Sequence, residues 1–154
     1  MSRLDYCNAL LASASQTQID RLQRAQNHAA RVVLRKKMRD HVTPLLRELH
    51  WLPVKYRCQF KVATLAFRHF EGSLPRYLSN VLVERKTPRL VRSSTVKRLV
   101  PPKNPKRKTV GGRSFSHVAP TVWNSLPADL KAIPSLQEFK AKLKTYYFQQ
   151  HFDQ

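Results

Sequence analysis

Between residues 92 and 114 the chain reads RSSTVKRLVPPKNPKRKTVGGRS: eight Lys or Arg residues, three prolines, two of the chain's three glycines and no acid. Proline removes a backbone donor and glycine weakens any regular backbone, so neither a long helix nor a central strand can run through this stretch. The core-forming helices are expected in the chain on either side. The charge follows the same division. Residues 84–113 hold 11 basic residues against one acid, whereas residues 1–83 hold 14 against five and residues 114–154 four against three. Half of the net charge of +20 thus lies in 30 of 154 residues. Such an excess repels itself and attracts polyanions. Nucleic acid is the first candidate partner and an anionic membrane surface the second.

Both flanks read as helical. Ser2 and Asp5 approximate a capping box for a first short helix with Leu4, Cys7, Leu11 and Ala14 on one face. Thr17 and Asp20 open a second, whose apolar stripe is Ile19, Leu22, Ala25, Ala29, Val32 and Val33. Thr43-Pro44 starts a third, ended by Trp51-Leu52-Pro53. The longest runs from about Val54 to Phe70, with Tyr56, Phe60, Ala63, Phe67 and Phe70 along one stripe and Gly72 placed to stop it. Ser73-Leu74-Pro75 opens a further short helix through Leu82. Beyond the basic stretch, Phe115, Val118, Ala119, Val122, Trp123 and Leu126 keep helical spacing across Pro120, as one kinked helix or two short ones. Ser135 and Glu138 then form a capping box for a last helix with Phe139, Leu143, Tyr146 and Tyr147 inward.

The fold expected is mostly α: a small bundle of about six to eight helices with one short basic β-hairpin or irregular loop inserted. Residues 1–83 form a helical part, 84–113 the basic insertion, and 114–154 C-terminal helices that pack back on the first part. Within the insertion, residues 96–100 and about 108–110 are the expected strands, with a proline-rich tip between them. Because folded segments tether it at both ends, the insertion is displayed rather than trailing. Lys97, Arg98, Lys103, Lys106, Arg107, Lys108 and Arg113 are the expected phosphate contacts, with a second set, Arg21, Arg24, Arg31 and Arg35, on the polar face of the second helix. The RKK run at 35–37 and PKNPKRK at 102–108 also fit nuclear import signals.

Other chemistries find little support. Cys7 and Cys58 form no CxxC pair and read as small buried hydrophobes; the six histidines show no ligand spacing, so neither metal nor cofactor is expected. Ser114 and Ser116 beside His117 mimic a nucleophile–base pair but lack an orienting carboxylate and an oxyanion-hole motif. Trp123 falls on the stripe of Phe115 and Val122, and Trp51 sits at a helix junction with Leu49 and Leu52, so core packing is expected for both ahead of a base-stacking role. No apolar run approaches the ~20 residues of a membrane span. No signal-peptide pattern is present, which points to a nuclear or cytoplasmic protein, not a secreted one.

Six phrases occur in register: SRLDYCNALL, RLQRAQNHAARVV, HVTPLLRELHWLPVKYRCQFKVATLAF, LPRYLSNVL, GRSFSHVAPTVWNSLP and SLQEFKAKLKTYYF. This series resembles the C-terminal region of the reverse transcriptase protein of non-LTR retrotransposons (LINE elements, jockey-like branches), downstream of the polymerase domain. The resemblance covers nearly the whole chain. It implies a fragment of a larger protein, since Met1 stands where an upstream helix would enter. It further implies a non-catalytic accessory region that grips RNA or DNA beside the reverse transcriptase domain of its parent, with no small-molecule substrate. The parent's two-metal polymerase needs clustered carboxylates, and the five aspartates here are nowhere adjacent. Two further readings stay open: a structural or protein-interaction module that docks on the absent polymerase, and a translated remnant without function.

Overall fold

A computed structural model describes residues 5–85, 97–102 and 114–153. In chain order it holds a 3-10 helix over Asn8–Ser13, α1 (Gln16–Val33), α2 (Val42–Glu48), α3 (Val54–Phe70), α4 (Arg76–Ser79), β1 (Val83–Glu84), β2 (Leu99–Val100), α5 (Phe115–Ser125), α6 (Ala128–Lys131) and α7 (Leu136–Phe152). The fold is therefore a small helical bundle carrying one short antiparallel hairpin. The proposed Ser2 cap with Leu4 lies outside the described residues, as does the strand expected near 108–110. β2 pairs instead with Val83–Glu84, in the register Val83↔Val100 and Glu84↔Leu99.

The helix starts show which capping pairs can reach. Ser15, not Thr17, caps α1: its Oγ accepts the Gln18 N–H at 3.4 Å, and Gln18 Oε1 accepts the Ser15 N–H at 3.2 Å. The reciprocal bond needs the longer Gln or Glu side chain; Asp20 is too short and accepts from Gln16 Nε2 at 2.7 Å. At α7, Ser135 occupies the cap position without a side-chain cap bond. Glu138 turns along the helix to Lys142, one turn on, at 2.8 Å.

Three helices end alike. In each, the residue after the C-cap is left-handed, and two backbone bonds fold the chain back over the last turn. The donors are Arg35 and Lys36 after α1, His50 and Trp51 after α2, and Gly72 and Ser73 after α3. Only the third uses glycine; Arg35 and His50 each hold φ 51°.

α3 is the organising element. Val62, Ala63, Ala66 and Phe67 on it meet Trp123, Phe139, Leu143 and Leu99 in the main core. Phe67 stacks on Phe139 with ring centroids 4.4 Å apart, and Phe70 lies 5.1 Å from Trp123. α5 runs unbroken through the buried Pro120. Trp123 is wholly buried, as its spacing implied.

α1 buries a different stripe from the one expected. Ile19, Gln26 and Ala30 are buried, while Val32 and Val33 are 77% and 57% exposed. The reason is polar. α3 begins without a side-chain cap on Pro53, leaving orphan backbone groups at its entrance. Gln23 Oε1 accepts the Val54 N–H at 2.8 Å, and Gln26 Nε2 donates to the Leu52 carbonyl at 2.9 Å. Satisfying those groups rotates the glutamine edge inward and Val32 and Val33 outward. Cys58 is buried as expected, whereas Cys7, expected to be buried too, is exposed.

Candidate nucleic-acid interface

β2 is the foundation of the basic segment, and both of its edges are occupied. Along one edge, the Arg85 N–H donates to the Arg98 carbonyl at 2.9 Å, extending the pairing with β1. Along the other, side chains of α5 replace a third strand. The Asn124 side chain accepts the Leu99 N–H at 3.2 Å and donates to the Leu99 carbonyl at 2.8 Å. The buried Trp123 indole N–H donates to the Lys97 carbonyl at 2.9 Å. Leu99 is 2% exposed and drives the strand into the main core. By the alternation of a strand, Arg98 and Val100 face outward.

The side chains at this base are also arranged. Lys97 Nζ stands 5.7 Å from the centre of the Phe70 ring, a cation–π contact. Lys131, only 5% exposed, donates from Nζ to the Asn124 carbonyl at 3.0 Å. Its cation thus meets the negative end of α5 behind the clamp. Burial, and then the nearby Arg98 charge, hold the Lys131 pKa below the ordinary lysine value.

Of the expected phosphate contacts, Lys97 and Arg98 lie on this base and are exposed. Lys103, Lys106, Arg107, Lys108 and Arg113 lie outside the described residues. Arg21, Arg24 and Arg35 are exposed, whereas Arg31 is half-buried and holds the Asp40 carbonyl from Nε at 3.3 Å and Nη2 at 3.0 Å. It closes the α1–α2 connection instead of facing solvent.

The described members of the two sets are not brought together. α1 is bonded to the entrance of α3 through Val54 and Leu52. The hairpin meets the other end, where Lys97 lies over Phe70 and Glu84 lies 3.4 Å from His69. The 17 residues of α3 separate those ends by about 25 Å. Arg68 in its last turn and Arg76 and Arg85 nearby are exposed cations at the hairpin end that the charge-run reading passed over. Their signal was in their spacing around Gly72, where the chain doubles back.

All nine acids fall within the described residues. Their ion pairs go to Arg47, Arg57, His69 and Lys142. Among the described residues, no carboxylate pairs with Arg21, Arg24, Arg35, Lys97 or Arg98.

The Ser114–His117 cluster is local: Ser114 Oγ lies 2.8 Å from Ser116 Oγ and 3.1 Å from His117 Nδ1, all in the first turn of α5. Among the described residues no carboxylate orients the imidazole, no group of three His, Cys, Asp or Glu could hold a metal, and no helix is long and apolar enough to cross a membrane. No family model, curated protein or solved structure matches the chain.

Proposed function

We propose that the chain is a non-catalytic, sequence-tolerant nucleic-acid-binding region, an accessory part of a LINE-type reverse transcriptase protein acting in the nucleus or cytoplasm. The observation that carries this reading is the mounting of the basic segment. Its described stem, Lys97 to Val100, is clamped on both edges by β1 and by Trp123 and Asn124. A rigid stem under a dense positive charge binds phosphate by releasing condensed counterions and fixes orientation without reading bases. The resemblance of the six sequence phrases is what supports the proposed parentage.

Binding of a labelled single strand and of duplex DNA across a salt series tests this. Engaging about six phosphates gives log K against log salt a slope near −4 on a single strand and about −5 on duplex. Replacing Lys103, Lys106, Arg107 and Lys108 together by Gln removes about four contacts and flattens the single-strand slope by about 3. Salt-independent binding, or the same slope for both proteins, overturns the proposal.

A second reading, a surface for docking on the polymerase part, is favoured by one feature. Val83 and Val100 are register partners, yet they are 59% and 39% exposed, near Tyr77 at 73% and Val81 at 44%. Substituting Val83 and Val100 by Thr separates the readings: nucleic-acid affinity stays unchanged while association with the polymerase domain falls.

A further inference from the structure

A cleft in the described fold lies away from the hairpin. It measures about 550 Å³ and opens between the α2–α3 connection and α7, within the size range of small-ligand sites. Trp51 and Phe60 supply aromatic surface, and Arg57, Lys61 and Lys144 supply cations. The one carboxylate in the lining, Asp5, is bonded to Arg57 at 2.9 Å. Lys61 and Lys144 are exposed and have no carboxylate partner among the described residues. Trp51 is half-buried: it packs against Ala30, Leu45 and Leu46 and also borders the cleft. The left-handed His50 fixes it there by folding the Trp51 N–H back onto the Leu46 carbonyl at 2.9 Å.

Aromatic surface flanked by free ammonium groups matches one chemical unit, a nucleobase with its phosphate. We infer that this cleft receives one unstacked nucleotide of a single strand, with the base against Trp51 and the phosphate between Lys61 and Lys144. The inference rests on the nucleic-acid reading and narrows it, because a base held in a duplex stack cannot enter. Phe60 precedes Phe70 by ten residues of α3, so the cleft lies about 15 Å from the hairpin end. One strand can reach both.

The full chain carries its own probe. It has two tryptophans, and Trp123 is wholly buried, so quenching by a ligand reports Trp51. Oligo(dT) and oligo(U) are expected to quench, and a short duplex is not. Trp51→Ala lowers single-strand affinity roughly 10- to 100-fold, the range of a lost stacking contact, and Trp51→Phe restores most of it. Because Trp51 also packs inward, Lys61→Gln with Lys144→Gln provides a surface variant: it weakens oligo(U) binding and leaves duplex binding within about twofold, as expected for contacts made by one strand only. No single-strand loss in either variant, with the quadruple variant at Lys103, Lys106, Arg107 and Lys108 still impaired, sinks the cleft and spares the nucleic-acid reading. Absence of any polyanion binding at low salt sinks both. Quenching by polyglutamate as strong as by oligo(U) shows a site for charge alone, and uridine monophosphate binding as tightly as oligo(U) shows a free-nucleotide site; either overturns the strand assignment.

Discussion

Asn124 couples the helical bundle to the basic segment through one side-chain amide. Its oxygen and nitrogen meet the donor and acceptor of a single residue, Leu99, as a neighbouring strand would. Asn124→Asp retains the acceptor but sets a carboxylate oxygen against the Leu99 carbonyl. Removing a partly buried hydrogen bond of this kind destabilises by about 1 kcal/mol. The effect should concentrate locally: amide exchange at Leu99 accelerates before that of the α3 core, and affinity for a single strand falls although no cation has been removed. Unchanged exchange at Leu99 would refute the clamp. The cysteines divide as sharply. Burial raises the Cys58 thiol pKa to about 11, with the Arg57 charge opposing it. A raised thiol pKa keeps the neutral, unreactive form through neutral and mildly alkaline pH. In the folded chain at pH 8, a maleimide should therefore label the exposed Cys7 and leave Cys58 untouched until denaturant is added, as peptide mass spectrometry will show.

Elements in this chain are written mainly as apolar stripes, and where one stripe decides, the sequence is transparent. α3 lies at Val54–Phe70 as its spacing and Gly72 indicate, and Trp123 is buried where the 115–126 pattern puts it. The departures share a cause: polar groups satisfying backbone at a distance. Nothing near Gln23 and Gln26 announces that they serve the entrance of α3, some thirty residues on, and counting apolar residues alone turned α1 toward Val32 and Val33. Likewise, the helix expected through Leu82 and the insertion expected from Glu84 meet at Val83–Glu84, where two residues carry no period of their own; the pairing with β2 makes them a strand. At the interface, the run of cations was visible, but the diversion of Arg31 to the Asp40 carbonyl was not. The C-terminal caps are a related case, since left-handed positions are usually marked by glycine and two here are not. Arg35 holds φ 51° after α1. An L-residue there is strained by about 1–2 kcal/mol, of which glycine's greater unfolded-state freedom gives back about half. Arg35→Gly should stabilise the fold by about 0.5–1 kcal/mol and raise Tm by roughly 2–3 °C in a thermal melt. A fall in Tm would show that the Arg35 side chain, not its backbone, is what the cap requires.

Across the whole molecule, α3 sets the distance over which a ligand would be held. Arg21 and Arg24 ride on the helix that closes its entrance, the hairpin stem sits at its exit, and about 25 Å lies between. Cations so far apart act independently on a short ligand, because that spacing exceeds the screening length of about 8 Å at physiological salt. On a long ligand they act together. At about 3.4 Å per base pair along one strand, roughly seven base pairs bridge the gap. Affinity in a length series should rise gently up to that point and then step upward as the second set engages. Arg21→Gln with Arg24→Gln should erase the step and leave the shortest duplexes unaffected, whereas the quadruple substitution at Lys103, Lys106, Arg107 and Lys108 should weaken every length. Both substitutions change charge on the same fold, so solubility or general Coulombic attraction would scale the two curves together at all lengths. A step that survives the loss of Arg21 and Arg24 would confine binding to the hairpin end and leave the α1 face as a solvated helix surface.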